Sequence, residues 1–148
     1  MSATKRSGDH VTFEAQHIAD ELAIRNLIAR IAHLADHGEG LDEYLACFAP
    51  DAAWNFPVGS RVGHASILAG AQERRSSGTT GPGSNSRHLI TTIEVAVDGS
   101  DEATSDAYFL FLVETNEAPR IFNCGYYHDT WRRTADGWKL AVRDIVLG

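Results

Sequence analysis

The stretch RHLITTIEVAVDGSDEATSDAYFLFLVETNEAPRIFNCGYYHDTWRRTADGWKLAVRDIV, Arg87 to Val146, decides the fold. Four runs within it, Arg87 to Val97, Thr104 to Glu114, Arg120 to Arg133 and Trp138 to Val146, are rich in β-branched and aromatic residues and read as strands. Between them lie Asp98-Gly99-Ser100, Asn116 to Pro119 and Asp136-Gly137, turn chemistry that joins antiparallel neighbours. The second half of the chain is therefore expected to be a four-stranded meander.

Upstream of the meander the period changes. Ile18, Leu22, Leu27, Ile31 and Leu34 recur at three- to five-residue steps, predicting a helix from about Phe13 to His37 with these residues on its buried face. Gly38 and Gly40 end it, and Leu41, Tyr44, Leu45 and Phe48 predict a second, short helix, stopped by Pro50 and Asp51. Ala52 to Phe56 reads as a strand with Trp54 and Phe56 on one side, and Arg61 to Arg75 as a further helix. Ser76 to Ser86 is almost entirely Gly, Ser, Thr, Asn and Pro, hence a loop: either a mobile lid ahead of His88 or a disordered connector. Helices first and a sheet afterwards mean an α+β domain with helices on one face of the sheet.

The chain of 148 residues, 43% hydrophobic and 22% charged, is sized for one domain spanning residues 1–148, with residues 1–12 a flexible leader. A formal charge of -7 argues against nucleic acid and anionic membranes as partners. The longest apolar stretch, Ala107 to Val113, is far short of the roughly 20 residues a membrane helix needs. Cys47 and Cys124 show neither metal nor disulfide spacing and read as small buried hydrophobes, which together with the missing signal segment predicts a cytoplasmic protein.

Several local motifs then point to one group. Ala32-His33-Leu34-Ala35-Asp36-His37-Gly38 runs into Leu41-Asp42-Glu43-Tyr44; Phe48-Ala49-Pro50-Asp51-Ala52-Ala53-Trp54, Tyr127-His128-Asp129 and Asp136-Gly137-Trp138-Lys139-Leu140 follow in order. In this order and spacing the chain resembles the SnoaL-like members of the NTF2-like superfamily over nearly its whole length. That resemblance implies a cone-shaped α+β barrel, with N-terminal helices packed on a strongly curved antiparallel sheet. It also implies a homo-oligomer, a trimer or a dimer. The superfamily includes scytalone dehydratase, hexachlorocyclohexane dehydrochlorinase, bile-acid dehydratase, ketosteroid isomerase, polyketide cyclases and noncatalytic small subunits of ring-hydroxylating dioxygenases, so fold alone does not decide activity. In its dehydratase and dehydrochlorinase branch, the resemblance implies an Asp ending the first helix, a His opening the first long strand and an Arg near the end of the last. These positions are Asp36, His88 and Arg143.

Those three side chains describe a cofactor-independent lyase. A neutral imidazole is a suitable general base when its other nitrogen donates to a carboxylate, so His88 would be the base and Asp36 its orienter. Arg143 would stabilise developing negative charge, or else pair structurally with Asp129 or Asp144. Strand alternation places Asn123 and Tyr127 on one face and Phe109 on another; with Trp54, Phe56 and His33 they are candidates to line a hollow for a flat, hydrophobic, aromatic or polycyclic substrate. Plain core packing is the competing reading for the aromatics. His33 and His37 flank Asp36 but lack the zinc-protease signature, so no metal or cofactor is expected. The dehydratase branch carries a Tyr on its first helix where this chain has Ala35 and Ile31, which leaves Tyr127 or Asn123 to contact a leaving group. The alternatives are an isomerase or cyclase using Asp36 as proton shuttle, and a noncatalytic subunit on the same cone.

Overall fold

A helix advances about 100° per residue, so Ile24, Ile28 and Ile31 fall along one side. They form the buried face of the first helix, α1 (Arg6–His37). Each such side chain withdrawn from water contributes roughly 1.5–3 kcal/mol. The structure, a computed structural model, describes the backbone from residue 6 and side chains from residue 11. Of the leader expected over residues 1–12, the first five lie outside the described residues, and from Arg6 the chain is already helical. Ile18 and Leu22, expected on the buried face, are 69% and 59% exposed. They lie about 240° and 200° around the helix from Ile24, and the face that wins is the one that also carries Asp20 to its partners on the sheet.

The order continues as α2 (Asp42–Ala46), β1 (Phe48–Phe56), β2 (Gly59–Val62), α3 (Gly63–Ser76), β3 (Arg87–Asp98), β4 (Glu102–Val113), β5 (Arg120–Thr134) and β6 (Gly137–Leu147). One six-stranded sheet has the order β2-β1-β6-β5-β4-β3, and the meander β3 to β6 is antiparallel throughout. The junction of β1 with β6 is parallel, so the sheet is mixed rather than purely antiparallel. β1 also begins four residues earlier than expected. Pro50 does not stop it, because the β1–β6 ladder is irregular between Phe48 and Ala53, where a missing N–H leaves no partner without its donor. Register shifts at Thr91/Glu94, Phe111/Leu112 and Thr130/Trp131 mark bulges, which bend strands and increase their twist.

The helices pack on one side of this sheet. Ile24, Ile28 and Ile31 meet Tyr44, Phe48, Ile67, Trp131, Trp138 and Leu140 in a single core. Polar ties add to this: Arg25 of α1 donates to the Ile93 carbonyl of β3 at 2.9 Å, and within the sheet Trp131 Nε1 donates to Ser105 Oγ at 2.8 Å. Arg75, at the end of α3, donates to the Gly38 and Leu34 carbonyls at 2.7 and 3.2 Å, satisfying acceptors that the end of α1 leaves open. Cys47 is buried as expected, but Cys124 is exposed: its strand position faces away from the helices. No described helix is long and apolar enough to cross a membrane.

Candidate functional site

Asp36 sits in the last turn of α1, where a carboxylate opposes the helix dipole and needs another reason to be there. The sheet supplies it. Asp36 Oδ1 lies 2.7 Å from His88 Nδ1, and Asp36 Oδ2 accepts the His88 backbone N–H at 2.8 Å. Both carboxylate oxygens are thus committed to the second residue of β3, and Asp36 is only 3% exposed. An ionised Asp36 can only accept, so Nδ1 carries the ring proton and donates it in this hydrogen bond, which leaves Nε2 as the acceptor nitrogen. The ring packs at 4.6 Å from Phe111, its cross-strand neighbour, so its orientation is fixed from two sides.

In front of the imidazole is an inner cavity of about 40 Å³, bounded by Ile28, Ile31, Tyr44, Arg74, Tyr127 and Arg143 among others. It shares Trp54, Arg74, Thr80, His88 and Tyr127 with an adjoining outer hollow of about 250 Å³. Phe56, Phe109, Phe111, Phe122 and Asn123 complete that outer part. The register explains why these residues meet: Phe109 pairs with Gly125, Phe111 with Asn123 and Ala107 with Tyr127, so what reads as two separate faces in sequence is one wall. Phe109 and Tyr127 stack at 4.5 Å.

Arg143 is buried at the base of this wall. Its Nε and Nη2 donate to Asp129 Oδ1 and Oδ2 at 2.8 and 2.7 Å, and its guanidinium carbon lies 4.0 Å from the centre of the Tyr127 ring. Burial works against the charge, but the Asp129 carboxylate outweighs it and holds the Arg143 pKa above the ordinary arginine value. Of the two partners left open by the sequence, Asp129 is the one engaged; Asp144 is bonded to Asn55 instead. Burial also pushes the Tyr127 phenol up to about 12, with Arg143 opposing, so Tyr127 keeps its proton and acts as a donor.

One expectation for the lining needs correction. His33 is exposed and borders a groove behind Asp36 and His88, not the hollow in front, because it lies about 200° around the helix from Ile31, which faces the inner cavity. Asn123 lines the outer hollow and is itself exposed. Residues 77–86 form a folded wall: Ser86 Oγ donates to the Thr79 carbonyl at 2.9 Å, Ser84 Oγ to that of Gly81 at 2.7 Å, and Thr80 and Ser86 are buried. Sequence reasoning missed Tyr44, Arg74 and Thr80 as lining residues. Tyr44 is fully buried on α2, so the hollow does receive a phenol from the helical layer, though not from α1. Burial raises its pKa, while Arg74 and Arg143 act the other way. Among the described residues no group of three or more His, Cys, Asp or Glu could hold a metal ion.

A family model described as a SnoaL-like domain matches residues 16–144. The chain belongs to the SnoaL-like family. No curated protein matches it in sequence. Among solved structures, this SnoaL-like chain is similar to an NTF2-like protein with a cystatin-like fold from Novosphingobium aromaticivorans, at 21% identity and a TM-score of 0.83, covering 97% of this chain and 92% of that one. It is similar to LinA at 16% identity and a TM-score of 0.75, covering 91% and 90%. It is also similar to a protein provisionally named a scytalone dehydratase from N. aromaticivorans, at 18% identity and a TM-score of 0.74, covering 91% and 88%. At these identities the likeness establishes the NTF2-like α+β fold.

Proposed function

We propose that this SnoaL-like protein is a cofactor-independent lyase acting on a small hydrophobic, aromatic or polycyclic substrate. The observation that carries the reading is the Asp36–His88 contact, which leaves His88 Nε2 as a base beside an aromatic-walled hollow. In the step this supports, His88 removes a proton from carbon, the C–H electron pair becomes the new double bond, and the leaving group departs with its own bonding pair. A departing hydroxyl can receive the proton from the imidazolium and leave as water. Asp36 stabilises that imidazolium. Because both Asp36 oxygens are engaged by His88, its role as orienter is better supported than direct proton shuttling. Tyr127 and Tyr44 are protonated donors for a substrate oxygen, while Arg143, already paired with Asp129, acts through the ring of Tyr127 and the field of the cavity. The neighbours named for LinA and a scytalone dehydratase agree with an elimination but do not specify the leaving group.

The test uses β-hydroxy aryl ketones, whose dehydration gives a conjugated enone that absorbs in the near ultraviolet. His88→Gln and Asp36→Asn are each expected to lower kcat by about 10² to 10⁴, the range of general-base contributions, with unchanged circular dichroism. Undiminished turnover in either variant, or no elimination by the unmodified protein across the series, rules the mechanism out.

A further inference from the structure

Arg74 is the charged group of the hollow that the chemistry above leaves without work. It projects from the last turn of α3, lines both the inner cavity and the outer hollow, and is half-buried. Its guanidinium carbon lies 5.0 Å from the centre of the Trp54 ring, and it shares the lining of the inner cavity with Tyr44. The neighbouring arginines all have assigned partners. Arg143 is neutralised by Asp129, Arg61 pairs with Glu73 and Arg133 with Asp20, while Arg75 caps the carbonyls of α1. Arg74 makes no ion pair with a carboxylate among the described residues, and the carboxylates nearest the cavity, Asp36 and Asp129, have both oxygens engaged elsewhere.

The other polar groups around it lean the same way. The buried Trp54 indole N–H meets no acceptor among the described residues, Thr80 brings a buried hydroxyl, and Tyr44 and Tyr127 keep their protons. The hollow is therefore rich in donors, and Arg74 is its one cation with no carboxylate within ion-pair distance among the described residues, in a chain whose formal charge is -7. A basic surface does not explain that, and an anion that joins a cation held half out of water gains more than it would in bulk water. We infer that the substrate carries a carboxylate on its aromatic frame and that Arg74 receives it, fixing which edge of the ring faces His88. Trp54 supports the guanidinium from one face, and its N–H together with Thr80 supplies further donors for the carboxylate oxygens. A neutral ring of the same shape would fill the hollow and leave Arg74 unpaired.

This inference rests on the hollow being the substrate site, but its test reads binding and not turnover, so it can stand or fall apart from the lyase mechanism. Calorimetric titration compares 2-naphthoate with its neutral counterpart 2-naphthamide on the full chain. Naphthoate is expected to bind at least tenfold more tightly, the difference shrinking with added salt. Arg74→Gln is expected to erase that preference, bringing naphthoate down to the affinity of naphthamide, and Arg74→Lys to restore part of it. His88→Gln is expected to keep the preference even when turnover is gone. Equal affinity for the two ligands in the unmodified protein, or no binding of naphthoate, overturns the assignment without recourse to any variant. Retention of the preference in a folded Arg74→Gln protein overturns it as well.

Discussion

Arg143 and Asp129 are both almost fully buried and bound to each other by two parallel hydrogen bonds, so each protects the other from a cost neither could bear alone. Removing one partner of a buried pair leaves the second charge without compensation and typically costs about 3–5 kcal/mol. Asp129→Ala is expected to lower unfolding stability by about that amount in urea titrations, with a matching loss in Arg143→Ala. Replacing both by well-packed apolar residues is expected to recover much of the loss, and a double variant as unstable as the sum of the singles contradicts this account. The same pair separates two readings of any activity loss at Arg143. His88 variants are expected to lose turnover with little change in stability, whereas Arg143 variants lose both.

At the scale of elements, Gly125 controls how closely β5 and β6 run beside the hollow. A Cβ there would collide with the Val146 carbonyl oxygen and press on the Phe109 ring at 3.0 Å. Gly125→Ala is expected to part the two strands, costing about 1–3 kcal/mol, and to disturb the Phe109–Tyr127 stack; an unchanged thermal midpoint by circular dichroism contradicts it. The four strands from β3 to β6 were legible because alternation and turn residues such as Asp136-Gly137, with Gly137 at a φ of +96°, mark strands locally. β2 was not legible, since its four residues, Gly59–Val62, are mostly exposed and show no alternation to read. On α1, Ile31, Leu27 and Leu34 face the core as expected, and only Ile18 and Leu22 were misread, for another reason. Apolar residues occur on several of its sides, and only the contact of Asp20 with the far end of the sheet chooses among them. Asp36 and His88 could be named from a resemblance in motif order. Arg74 and Tyr44 could not, because their place at the hollow depends on how α2 and α3 dock, a fact no local pattern encodes.

For the whole molecule, the attachment of the helical layer to the sheet depends on one carboxylate as well as on the apolar core. Asp20, 3% exposed on α1, accepts from Arg133 Nη2 at 2.6 Å, Trp138 Nε1 at 3.1 Å and Gln16 Nε2 at 3.0 Å, so it ties the helix to the β5–β6 hairpin. Burial pushes its pKa up, but the bonds from Arg133, Trp138 and Gln16 outweigh burial and hold it below the usual carboxylate range. A carboxyl depressed in the folded state contributes stability that is present above its unfolded value, about 3.9, and is lost as pH falls through the lower folded value. Asp20→Asn keeps the shape and removes the charge. It is expected to be less stable than the unmodified protein at pH 7 by about 1.5–3 kcal/mol, the worth of a hydrogen bond to a charged group. The gap is expected to hold down to about pH 4 and to narrow below it, as the unmodified protein takes up the proton that the variant no longer binds. Urea titrations at pH 7, 5, 4 and 2.5 measure both curves. A gap that stays constant to the lowest pH would mean that Asp20 holds the two layers by shape alone, and that the acid sensitivity of this fold arises elsewhere.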